Sequence, residues 1–144
     1  MFIRTRKQRA PVLWALGVLM IPEYWINFLD KNEMRWVSCK IPPEEDLANI
    51  DEEGPDLYIF NEESSIQEST ENYPGIGVKP DGYIPVAGCE LGSGDPYFIN
   101  VNDGENGPLY CIFHDNVIDE NYDRFKAIVK ILENYQDLVK YKVS

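Results

Sequence analysis

Gly82-Tyr-Ile-Pro-Val-Ala87, Tyr97-Phe-Ile-Asn-Val101 and Leu109-Tyr-Cys-Ile-Phe113 are the stretches that decide the fold. Each is short, rich in β-branched and aromatic residues, and bounded by glycine-bearing turns, which is the pattern of a strand. Gly88-Cys-Glu-Leu-Gly-Ser-Gly-Asp95 joins the first to the second, and Asn102-Asp-Gly-Glu-Asn-Gly107 leads into the third. Connections this short suit antiparallel neighbours, because parallel ones need a crossover of about a dozen residues or more. Side chains alternate along a strand, so Tyr97, Ile99 and Val101 share one face while Phe98, Asn100 and Asn102 share the other. The spacing predicts a meander of at least three antiparallel strands.

Downstream, Phe125, Ile128, Val129, Leu132, Tyr135 and Val139 form an apolar stripe at helical spacing, predicting a carboxy-terminal helix from about Asn121 to Val139 that closes over the sheet. Upstream, Gly54-Pro55 is a turn signal before Leu57-Tyr-Ile-Phe60, another short strand. Residues 44–53 suit a short helix with Leu47 and Ile50 turned inward, and the remainder of 41–78 reads as exposed loop. A helix is expected to begin at Pro22, a residue tolerated in a first turn, with Trp25, Ile26, Phe28 and Leu29 on its apolar face. The fold class is therefore α+β: an antiparallel sheet packed by helices from both ends of the chain. One domain covers 1–144, with a short basic leader at 1–10.

That leader (Arg4, Arg6, Lys7, Arg9) precedes an apolar run, 10–21, in the manner of a signal peptide. No small-residue cleavage pattern follows, and the run falls short of the ~20 residues that span a bilayer. It is read as a buried segment, with a targeting segment as the alternative. Cys39, Cys89 and Cys111 are odd in number and widely spaced, which suits a reducing compartment and buried, inert thiols. The chain is accordingly expected in the cytoplasm, not in a membrane.

Catalytic patterns are weak. Gly88, Gly92 and Gly94 lead into Asp95-Pro96, whereas a phosphate cradle calls for a helix start and a cation. His114-Asp115 could be drawn as a base beside Ser93 or Cys89, but a histidine at a strand end more often caps a turn. With a single histidine and no Cys-x-x-Cys pair, no metal site is expected. The loop from Asp103 to Gly107 lacks the ligand pattern of a calcium loop. Neither a cofactor nor a small-molecule substrate is expected, and the chain is read as a non-enzyme.

Charge points elsewhere. There are 25 Asp and Glu against 13 Lys and Arg, a net −12, and residues 41–78 hold eleven acidic residues with no Lys or Arg. Such a field repels nucleic-acid phosphates, so no direct nucleic-acid binding is expected, and it attracts basic proteins.

Ile21-Pro22-Glu23-Tyr24 with Phe28-Leu29 and Asn32, then Ile84-Pro85-Val86-Ala87 with Gly92-Ser93-Gly94-Asp95 and the strand from Tyr97, then His114-Asp115 and a last helix carrying Phe125, resemble the SUKH superfamily (Smi/Knr-like proteins) in order and kind. The resemblance covers roughly residues 19–133. The chain departs from the family where glycines ordinarily follow the first-helix Asn: Glu33-Met34 stand there instead. The resemblance implies a protein-binding role without catalysis. Bacterial members are commonly immunity proteins that neutralise toxins, often nucleases, and fungal members are regulatory scaffolds. An acidic inhibitor suits a basic nuclease on electrostatic grounds. The expected partner is a cognate, basic protein toxin, met through Glu52, Glu53, Asp56, Glu62 and Glu63 in the acidic zone and Glu90 and Asp95 flanking the glycine turn. A regulatory scaffold is the alternative.

Overall fold

Among the described residues six strands follow one another in sequence and pair in that same order, every pair antiparallel. They are β1 (Ser38–Lys40), β2 (Asp56–Ile59), β3 (Tyr83–Cys89), β4 (Tyr97–Asn100), β5 (Leu109–Ile112) and β6 (Ile128–Leu132). This computed structural model describes residues 21–90 and 94–143. The meander expected around β3, β4 and β5 is present, and it continues outward on both sides. The basic leader at 1–10, the apolar run up to residue 20 and the tip of the glycine turn at 91–93 lie outside the described residues.

Apolar alternation places a core on each face of the sheet. Leu57, Ile59, Tyr97, Ile99 and Ile131 face α1 (Glu23–Asn32), and Tyr83, Phe98 and Ile112 face a smaller cluster with Val78, Val117 and Ala127. Trp25, Phe28 and Tyr135 meet with ring centroids 5.2–5.3 Å apart, so α1 is pinned to the 3-10 segment Tyr135–Tyr141. Edge-to-face packing of this kind adds about 0.5–1.5 kcal/mol per pair beyond burial. Among the described residues no helix is long and apolar enough to cross a membrane.

At its carboxy end α1 stops at Glu33, which takes the left-handed conformation (φ 52°, ψ 53°), and the Met34 N–H closes back on the Leu29 carbonyl at 3.0 Å. That is the position and backbone geometry that favour glycine.

Three expectations are corrected. The carboxy-terminal helix over Asn121–Val139 is absent. In its place stand a single helical turn α4 (Arg124–Ala127), the strand β6 and the 3-10 segment. Asp123 caps α4 by accepting the Phe125 N–H at 2.9 Å, but Ile128-Val-Lys-Ile-Leu132 pairs with β5 instead of continuing the helix. Phe125, counted in the helical stripe, is 90% exposed, and Ile131, outside that stripe, is fully buried.

Residues 44–53 do not form an inward-facing helix. A 3-10 turn covers Pro43–Glu45, and Leu47 and Ile50 are exposed. The organising residue is the buried Asp46, whose carboxylate accepts the N–H groups of Ala48 and Ile50, each at 2.9 Å. The Leu47 N–H then donates to Ile131 on β6, covering part of that edge.

Residues 62–71, read as loop, form the helix α2 (Glu62–Glu71). Asn61 caps it by accepting the Ser64 N–H at 2.9 Å. Its inner face is made of Ser65 and Ser69, small enough to let the helix lie close, and α3 (Gly75–Val78) follows directly.

Candidate protein-binding face

On β1, β2 and β3, the residues opposite the α1 core are Ser38, Lys40, Asp56, Tyr58 and Gly88, with Glu90 just past the end of β3. The register pairs Ser38 with Tyr58 and Tyr58 with Gly88, and pairs Lys40 with Asp56. Gly88 is required here: a Cβ would stand 2.6 Å from the Tyr58 ring, so glycine lets that ring lie across the sheet. Trp36 stacks over Tyr58 with centroids 6.3 Å apart and planes at 20°, and Phe60 meets both rings edge-on. The indole remains 53% exposed. Trp36 also has φ +63°, a strained conformation for a bulky residue, held by its N–H on the Ile59 carbonyl at 2.8 Å. Beside this aromatic platform lies a pocket of about 250 Å3 with Phe60, Tyr73 and Pro96 in its walls and Glu68 at its edge.

Carboxylates are held on the strands and turns that carry these rings. Glu90 donates its N–H to the Asp56 carbonyl at 2.8 Å and accepts from the Ser38 hydroxyl, while Asp56 faces Lys40 at 3.8 Å. Arg35 makes a forked pair with Glu62 (2.8 and 2.7 Å) and reaches Asp30 at 2.7 Å. That fork holds the Glu62 carboxyl below its ordinary range, against a smaller opposing effect of burial. Arg35 thus pairs with Asp30 and Glu62 and Lys40 with Asp56, while Glu90 is held by the Ser38 hydroxyl and Glu68 lines the pocket.

The acidic residues singled out from sequence are only partly brought together. Asp56 and Glu90 adjoin each other across β2 and the end of β3. Glu62 and Glu63 begin α2 beyond the far end of β2, and Glu52 and Glu53 lie exposed in the loop entering β2. Asp95 serves a different purpose. Its Oδ1 accepts the His114 backbone N–H at 2.9 Å and meets the ring Nδ1 at 2.6 Å, tying the start of β4 to the end of β5. Sequence reasoning passed over Trp36, Tyr58, Arg35 and Lys40. The alternation in Leu57-Tyr-Ile-Phe60 carried the signal, since it turns Tyr58 and Phe60 away from the core that takes Leu57 and Ile59.

His114 faces carboxylates at both ring nitrogens, with Nε2 lying 3.2 Å from Asp115. Its pKa is raised, chiefly by the bond to Asp95. The ring thus ties the two segments together through Asp95, with a second carboxylate, Asp115, beside its other nitrogen. Burial pushes the Cys39 thiol up to about 11 and raises that of Cys111 further, so neither is a ready nucleophile; Cys89 is partly exposed. Ser93 lies outside the described residues. Among the described residues no group of three or more His, Cys, Asp or Glu side chains converges as a metal site would.

No protein-family model, curated protein or solved structure matches the chain.

Proposed function

We propose that the chain is a non-enzymatic, SUKH-like protein-binding domain of the immunity type, which neutralises a basic, nuclease-like toxin by direct binding. The observation that carries this reading is the exposed Trp36 stacked on Tyr58, on a sheet face that also carries Asp56, with Glu90 just past β3 and Glu62 paired to the neighbouring Arg35. Tight interfaces concentrate their energy in a central tryptophan or tyrosine, with polar groups around it excluding water. These carboxylates and the net charge of −12 steer a basic partner onto that centre and set its orientation. Two details support the family resemblance. Residue 33, where the family ordinarily has glycine, adopts the left-handed conformation that glycine favours, and two of the resembling motifs meet through the Asp95–His114 bond.

Capture on the immobilised chain at low and high salt, with partners identified by mass spectrometry, is the first half of the test. The second half assays the captured protein's own activity with wild type and with Trp36→Ala. The reading expects one basic protein, inhibited at a one-to-one ratio and weakened by Trp36→Ala by roughly 30-fold, the scale of an interface hot spot. Unchanged inhibition by Trp36→Ala would remove this face from the interface. Several weak partners and no inhibition would point to a scaffold.

A further inference from the structure

At the other end of β3 from Gly88 and Glu90, a cleft of about 480 Å3 opens beside Tyr83. The six-residue step from Tyr83 to Cys89 spans about 20 Å of extended strand, so this cleft is separate from the Trp36 face and does not depend on the reading given to it. Its volume falls in the range of ligand clefts, about 300–1,000 Å3.

The cleft is built around Gly82 and Asn100. Gly82 has φ +95°, and a Cβ there would come within 2.8 Å of both the Asn100 and the Asn102 side chains. Glycine therefore lets the turn before β3 close onto the buried Asn100, whose Nδ2 donates to the Asp81 carbonyl at 3.1 Å. That closure sets Asp81 at the mouth. Three tyrosines form the walls, with Tyr83 and Tyr110 edge-to-face at 5.4 Å.

Hydrogen-bond direction gives the cleft its character. The Tyr110 hydroxyl donates to Asp103 at 2.7 Å, and the Tyr122 hydroxyl donates to Asp81. Both phenols are held protonated, first by burial and then by those carboxylates. With their protons committed, the two phenol oxygens keep lone pairs free to accept, and both tyrosines line the cleft. Asp81, Asp103 and Glu120 add acceptors, and among the described residues lining the cleft Arg124 is the one cation that opposes them. The Arg124 guanidinium lies 3.2 Å from the Tyr83 hydroxyl, a cation of this chain resting on the group of side chains that favours one.

We propose that this cleft binds an organic cation, a guanidinium or primary ammonium group, with Asp81 and Asp103 accepting its hydrogen bonds and Tyr110 and Tyr122 offering their rings. Aromatic faces attract cations, and guanidinium or ammonium donors match a wall made of acceptors.

The test is a titration of the full chain followed by amide NMR, with N-acetyl-arginine amide, with spermidine, and with N-acetyl-glutamine amide as the neutral control. Saturable shifts at Asp81, Asn102, Asp103, Tyr110 and Tyr122 with either cation, and not with the control, are expected. Saturation by the arginine derivative alone assigns the cleft to a protein side chain, and saturation by spermidine alone assigns it to a free polyamine. Asp103→Asn should weaken binding about fivefold, and Arg124→Gln, which removes the internal competitor, should tighten it about fivefold. Both positions are exposed, so an unchanged unfolding transition checks that each variant is folded. The proposal is overturned by shifts equal to those of the neutral control, by no saturable shifts at all, or by weaker binding in Arg124→Gln.

Discussion

Ile131 and Phe125 exchange roles between the two ways of folding residues 121–139, and a pair of alanine substitutions separates them. In the structure Ile131 is fully buried against the α1 core, and Phe125 is 90% exposed on α4. Deleting the Ile131 side chain beyond Cβ leaves a cavity in a close-packed interior, a loss of about 2–5 kcal/mol for Ile→Ala. Taking about 3 kcal/mol, the melting temperature falls by roughly 6–12 °C in a chain of this length. Phe125→Ala removes no buried contact and should stay within about 0.5 kcal/mol of wild type. A helix with the stripe Phe125, Ile128, Val129, Leu132, Tyr135 and Val139 reverses the order: Phe125→Ala would cost about 3–5 kcal/mol, and Ile131, off the stripe, would cost less. Urea unfolding followed by far-UV circular dichroism measures both, with the slope checked so that a midpoint change can be read as stability. A Phe125→Ala loss above about 2 kcal/mol, exceeding that of Ile131→Ala, would refute β6 and the sheet edge it forms.

Two further predictions concern single residues. Because the His114 pKa is raised in the fold, its contribution is complete below the unfolded value of about 6.5 and is lost as pH rises through the folded-state value. The stability gap between wild type and His114→Gln should therefore narrow from pH 6 to pH 9. The ring is substantially exposed, which limits the effect to about 1 kcal/mol or less, and a gap that widens with pH contradicts the Asp95 strut. Glu33→Gly, at the left-handed end of α1, should stabilise by about 1 kcal/mol by relieving a conformation costly to L-residues. A fall in melting temperature on that substitution would show that Glu33 is not held in this geometry.

The sheet was legible because β3, β4 and β5 are bounded by glycine turns and filled with residues that pack on a pleated surface. The carboxy-terminal segment was not, because Ile128-Val-Lys-Ile-Leu132 satisfies two periods at once. Its apolar residues fit a helical stripe when Phe125 and Tyr135 are counted with them, and they fit a strand when taken alone. Tertiary pairing decides in favour of the strand: β5 offers an unpaired edge, and Asp123 and Asn134 cap the turns on either side. The helix α2 escaped for the opposite reason. Its buried positions are Ser65 and Ser69, so a search for apolar periodicity finds only Ile66. The readable signal was Asn61 before Glu62-Glu63, a cap followed by acids in the first turn.

The acidic zone divides by what each carboxylate already does. Asp56, Glu62, Glu90 and Asp95 are bound to Lys40, Arg35, Ser38 and His114, so they hold strands and turns in place before any partner arrives. Glu52, Glu53 and Glu63 are exposed and make no ion pair among the described residues. Reversing an anchored carboxylate disturbs the fold as well as the surface, and a loss of binding then has two causes. Reversing Glu52 and Glu53 changes chiefly the field, whereas reversing Glu63 also puts a cation in the first turn of α2. For an encounter steered by charge, the change in field lowers the association rate and flattens its salt dependence while leaving dissociation nearly untouched. Trp36→Ala acts in the other direction, on dissociation, because the contact it removes forms only after docking. Affinity at the proposed interface is thus assigned to the platform and steering to the exposed carboxylates, and the two rate constants measure them separately.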